Sequence, residues 1–147
     1  MNVLWILGVM LAGLNAGLLV SGMLEGRYLQ RVSLTTFLQM HQPRDLMFRR
    51  IMPPILLVLM ACCLALVVFP SGNGQRFFAL VAFALVLADV LLTVRRMVPL
   101  NLQLGSYDAL LPAPEGQDVR QRWYALNLLR TSLGVGAFLL FVLMPQA

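Results

Sequence analysis

The stretch PPILLVLMACCLALVVFPSGNGQRFFALVAFALVLADVLLTV, residues 53–94, decides the fold. Two apolar runs flank the turn formers Pro70, Ser71, Gly72, Asn73 and Gly74, and across the whole stretch only Arg76 and Asp89 carry charge. A helix needs roughly 20 mostly apolar residues to cross the hydrocarbon of a bilayer, and each run approaches that length. A turn this short returns the chain antiparallel. The stretch therefore predicts a hairpin of membrane-spanning helices.

Outward from this hairpin the same pattern recurs. The first run, about residues 3–23, contains no charge and has no basic segment ahead of it, so it reads as a retained spanning helix and not as a secretory signal. The second run is short by itself. Its helix is expected to begin near Arg44 or Asp45, with Pro53 and Pro54 as a kink, giving a span of about 45–69. The third span covers about 77–97 and is expected to end before Pro99. The fourth covers about 123–144. Between the first two spans, Ser33 to His41 reads as a short extra helix or amphipathic segment capped by Ser33. The polar connector between the third and fourth spans carries Pro112, Pro114 and Gly116. The expected fold is all-α: one domain over 1–147, an integral membrane four-helix bundle.

Composition agrees. Of 147 residues, 60% are hydrophobic and 12% charged, whereas a soluble domain carries about a quarter charged residues. All 11 basic residues are arginines. They flank apolar spans and form no continuous basic face, so membrane lipid is the expected partner and nucleic acid is not. Cys62 and Cys63 are adjacent within an apolar run and read as small buried residues.

The arginines also set an expected orientation. Arg27, Arg31, Arg44, Arg49 and Arg50 lie in the first loop and Arg95, Arg96, Arg120 and Arg122 in the third, against Arg76 alone in the second. By the positive-inside tendency, loops one and three are expected in the cytoplasm and both termini outside. The use of arginine in place of lysine is bacterial in style, which points to a bacterial inner membrane. Arg120 and Arg122 are expected to touch lipid at the interface.

Ionisable groups inside a span are costly and require a partner or a purpose. Within the apolar runs themselves, Asp89 and Arg130 are the two acidic or basic residues. They lie at similar depth on the third and fourth helices, so an ion pair between them is expected. The pair reads either as a lock between two helices or as the mount of a cation that meets an anionic ligand. Trp123, Asn127, Arg130, Thr131 and Gly134 recur at spacings of three and four and share one face of the fourth helix. Gly13, Gly17 and Ser21 form a small-residue face on the first helix, and Asn15 is expected to make an interhelical hydrogen bond. Glu25 is either a solvated end charge or a proton acceptor. His41, the single histidine, is either an interfacial residue or a general base. With one histidine and the scattered carboxylates Glu25, Asp45 and Asp89, no metal site is expected.

The series Val98-Pro99-Leu100-Asn101, then Arg122-Trp123, then Asn127 with Arg130-Thr131, resembles the anthrone oxygenase-like membrane family. The resemblance implies a four-helix membrane bundle that oxidises a lipophilic aromatic molecule, anthrone-like or quinoid. Molecular oxygen would be co-substrate, without metal or flavin. By position it implies that Arg130 stabilises a phenolate and developing peroxide charge, that Asn101 donates a hydrogen bond to a substrate oxygen, and that Trp123 stacks on a flat ligand. The base would be His41, with Glu25 as the alternative. A cavity lined by Glu25, His41, Asp89, Asn101, Trp123 and Arg130 follows from that reading. The competing reading is a non-catalytic module, a lipid-binding or small-molecule-binding accessory subunit with a structural Asp89–Arg130 pair and no cavity. Either form is compatible with a homo-oligomer.

Overall fold

The computed structural model describes residues 3–145, and among them every regular element is helical. The order is α1 (Val3–Leu29), α2 (Leu34–Val68), α3 (Asn73–Leu92), a five-residue π turn (Thr93–Met97), α4 (Val98–Ser106) and α5 (Gly116–Leu143). Four helices are long and apolar enough to cross a membrane, α3, the π turn and α4 counting as one of them. The architecture is that of an integral membrane four-helix bundle. Each long helix packs on two others, α1 on α2 and α5, and α3 on α2 and α5, which closes an up-and-down square.

The helices outrun their apolar stretches. Ser33 is an N-cap, its hydroxyl oxygen accepting from the Thr36 amide at 3.1 Å. The segment behind it is not a separate helix, because α2 runs unbroken from Leu34 through Pro43, Pro53 and Pro54. The third helix does not stop before Pro99. Proline lacks an N–H and clashes with the carbonyl four residues back. Here the ladder first widens: the amide of Val98 donates to the Thr93 carbonyl, the spacing of a π turn. The chain then continues helically through Pro99 and Asn101 to Ser106. α5 begins at Gly116, seven residues before Trp123.

The bundle has two apolar clusters. One lies toward the termini and joins Ala12, Leu59, Cys63, Leu66, Ala79, Ala82, Ala137 and Phe141. Close approach there depends on a glycine: a Cβ on Gly8 would stand 2.3 Å from the Phe141 ring. Gly17 faces open space and Ser21 is exposed, so they form no packing face. Gly13 packs against the Phe138 ring, and the buried small residues of the helix are Gly8, Ala12, Ala16, Gly22 and Gly26. Asn15 is buried, yet its Oδ1 makes no hydrogen bond among the described residues. The second cluster lies at the opposite end and joins Leu29, Phe37, Leu38, Met97, Leu104 and Trp123.

Candidate active site

At this second, arginine-rich end, all four long helices contribute to one small chamber of about 60 Å³. Gly22 opens it on the α1 side, where a Cβ would stand 3.0 Å from an Arg44 amino group and 3.6 Å from the Asn127 amide nitrogen. His41 and Arg44 enter from α2, Asn101 from α4, and Trp123, Asn127 and Arg130 from α5.

Arg130 and Asp89 pair. The guanidinium Nε donates to Asp89 Oδ1 at 2.8 Å, and the Asp89 residue is 1% exposed. Thr93, opening the π turn, donates its hydroxyl to the Asp89 backbone carbonyl at 2.7 Å. The Arg130 Nη groups make no hydrogen bond to any described side chain. The guanidinium lines the chamber. A cation held by one edge and open on the other is suited to an incoming anion.

The base candidate is enclosed by rings. His41 stacks on Phe37, with centroids 5.2 Å apart and planes at 16°, and meets Trp123 edge-on at 4.9 Å. Its Nε2 is buried and without a hydrogen-bond partner among the described residues. Besides Arg44 Nη1, which is ion-paired with Glu25, three further buried polar atoms on chamber residues share that state: Asn101 Oδ1, Trp123 Nε1 and Asn127 Nδ2. Buried polar groups are nearly always satisfied in native proteins. Four orphans around one cavity therefore mark a place where a polar ligand or water completes the bonding.

The other expected residues fall differently. Asn101 donates one amide N–H to Asp45 Oδ1 at 2.6 Å, and its Oδ1 has no partner among the described residues. Asn127 Nδ2 and Trp123 Nε1 are the unpartnered N–H groups. Glu25 does not line the chamber; it pairs with Arg44 and joins α1 to α2. Asp89 stands behind Arg130 and is not part of the wall. Thr131 directs its hydroxyl at the carbonyls of Asn127 (2.8 Å) and Leu19 (3.2 Å), tying α5 to α1.

Two residues carry more than their sequence neighbourhood suggested. Asp45 accepts from Asn101 and pairs with Arg49 at 2.5 Å, fixing α4 against α2. Arg120 is 5% exposed and makes no lipid-facing fringe. It donates to the carbonyls of Leu29, Val32 and Gln30, between 2.9 and 3.4 Å, and stands 5.6 Å over the Phe37 ring. The orphan carbonyls at the end of α1 attract it. The α1–α2 turn is thereby fastened to α5, with Phe37 and His41 just behind. Arg122 remains exposed. Among the described residues no three of His, Cys, Asp and Glu converge.

Fold and site together define a class: an integral-membrane-type helical bundle with a buried polar chamber and a cation mounted at its wall. Residues 45–140 match the anthrone oxygenase family, covering most of the chain, and the chain belongs to that family. The matched region contains Asp89, Asn101, Trp123, Asn127, Arg130 and Thr131, and begins four residues after His41. No curated protein and no solved structure matches the chain.

Proposed function

We propose that the chamber is an oxygenase site acting on a lipophilic aromatic molecule that has an acidic C–H next to a phenolic ring system, as an anthrone does. The family supports an oxygenase-type role. The observation that carries the reading is Arg130, fixed through Nε to Asp89 while it lines a chamber whose wall residues hold four polar atoms without a partner among the described residues.

The chemistry needs few groups. His41 Nε2 removes a proton from the substrate methylene, and Arg130 stabilises the resulting carbanion, delocalised as a phenolate. The carbanion reduces molecular oxygen, a C–O bond forms, and the hydroperoxide takes a proton back. Loss of water leaves a ketone, so that CH₂ and O₂ become C=O and H₂O. Asn127 Nδ2 and Trp123 Nε1 donate to substrate or peroxide oxygen. No step calls on a metal or flavin.

The test is oxygen uptake with a dihydroxyanthrone, using the protein in nanodiscs and subtracting the rate of empty nanodiscs. The wild type should consume one O₂ per ketone formed. Arg130→Gln should lose about 100-fold in kcat, the usual effect of removing one oxyanion donor. Equal rates for variant, wild type and empty nanodiscs would leave the non-catalytic reading in place, with the Asp89–Arg130 pair a helix lock.

From the arginine distribution we also propose that the protein lies in a bacterial inner membrane with its arginine-rich end in the cytoplasm. The α2–α3 turn shares an end with the close of α5, since a Cβ on Gly74 would stand 3.0 Å from Pro145. Trp5 Nε1 donates to the Phe141 carbonyl at 2.9 Å, so the start of α1 lies there too. A cysteine placed in that turn should react with a membrane-impermeant thiol reagent in intact cells, and one beside Arg122 should not.

A further inference from the structure

Outside the chamber lies a larger hollow of about 380 Å³ between α2 and the α3–π turn–α4 helix. Leu56, Leu57 and Met60 line it on α2, and Val90, Val94 and Val98 on the other side. Five residues, Asp45, Phe48, Met52, Asn101 and Arg130, line both this groove and the chamber. The two spaces therefore adjoin, and Arg130 is the only α5 residue on the groove. Leu57 is 67% and Val94 61% exposed, so the groove opens on the side of the bundle that would face lipid.

We infer that the substrate is an amphiphile whose acidic phenol head enters the chamber while an apolar extension lies in this groove, reached sideways from the bilayer. The inference rests on the reading of the chamber as the reaction site. Three observations carry it. A chamber of about 60 Å³ is smaller than the 300–1,000 Å³ of pockets that enclose a drug-sized ligand, so a multi-ring molecule must extend beyond it. The space it would extend into is apolar and more than six times larger, from 380 over 60. At the junction stands the Arg130 guanidinium, whose one side-chain hydrogen bond among the described residues runs from Nε to Asp89; such a cation draws an anionic or phenolic end and not a methyl terminus. Arg49 to Met60 spans 11 residues, roughly 16 Å of helix at 1.5 Å each, which leaves room for a hydrocarbon chain along α2. Met52 and Met60 supply adaptable walls.

The probe is a para-alkylphenol carrying a diazirine at the end of its chain, irradiated with the protein in phosphatidylcholine nanodiscs, the labelled residues then being located by mass spectrometry. Labels are expected on Leu57, Met60 or Val94. Excess para-octylphenol should suppress them and octylbenzene, which lacks the hydroxyl, should not. Val94→Phe, which fills the groove without touching the ion pair, should remove most of the suppressible labelling, and Arg130→Gln should abolish the advantage of the phenol over octylbenzene. Equal suppression by both competitors would overturn the inference and mark the groove as a resting place for lipid chains, as would labels scattered over all lipid-facing helices. Labelling requires no turnover. A positive result with no oxygen uptake would thus remove the oxygenase reading alone, and the reverse result would remove this one alone.

Discussion

The two ends of the bundle are built from the same kinds of helix, yet they treat polarity in opposite ways. Toward the termini, Gly8, Ala12, Ala79, Ala82 and Ala137 let backbones approach, and Leu66 and Phe141 fill what remains. At the arginine-rich end, glycines also line α1, but the space at Gly22 is occupied by Arg44 and Asn127 and that at Gly26 by Trp123 and Tyr124. Small residues make a packed core at one end and room for polar side chains at the other. What separates the outcomes is what the neighbouring helices bring.

The comparison breaks most sharply at Asp89. Asp89→Asn leaves Arg130 buried without its counter-charge, and loss of one partner of a buried pair costs about 3–5 kcal/mol. A denaturing-detergent titration should show that loss, and the double variant with Arg130→Gln should recover much of it. A single variant of unchanged stability would mean that the pair is not buried as described.

Next comes the packed end. Gly8→Ala would drive a methyl group into the Phe141 ring, and overpacking of this kind costs about 1–3 kcal/mol. The same titration should register it, while ligand affinity at the far chamber stays unchanged. A change in affinity would show that the two ends are coupled. Gly17→Ala meets nothing within 4 Å, so its effect should stay within about 0.5 kcal/mol. A larger loss would point to a second copy packed on that face of α1.

Much of this division was legible in the residues. Hydrophobic length identified the spanning helices, and the opposite charges of Asp89 and Arg130 at matching depth identified their pairing, because an unpaired ion in that setting is too costly. The stripe of Trp123, Asn127 and Arg130 follows from helical spacing alone. Helix ends were harder. α2 passes through Pro53 as expected but begins at Leu34, well before Arg44, and Pro99, which signals a stop in one dimension, is absorbed by a π turn. Arg120 looked interfacial because it lies beside Arg122 in a polar connector; its partners are carbonyls some 90 positions earlier, between Leu29 and Val32. The Glu25–Arg44 and Asp45–Asn101 pairs were likewise hidden, since the choice among several carboxylates and several partners depends on helix rotation, which hydropathy does not define. The face of α1 was placed only in part for the same reason: Gly13 meets the Phe138 ring, but Gly17 and Ser21 turn outward and the close contacts fall at Gly8 and Gly22.

The central claim is that the chamber strips a proton from its ligand and holds the resulting anion before oxygen reacts. Anaerobic mixing of the protein in nanodiscs with a dihydroxyanthrone, followed by absorbance, tests this most directly. The wild type should develop one equivalent of the anion spectrum, stable until oxygen is admitted and then replaced by that of the ketone product. His41→Gln and Arg130→Gln should both fail to develop it. A wild type that binds the anthrone only in its neutral form, or variants that form the anion as fully as the wild type, would contradict the account.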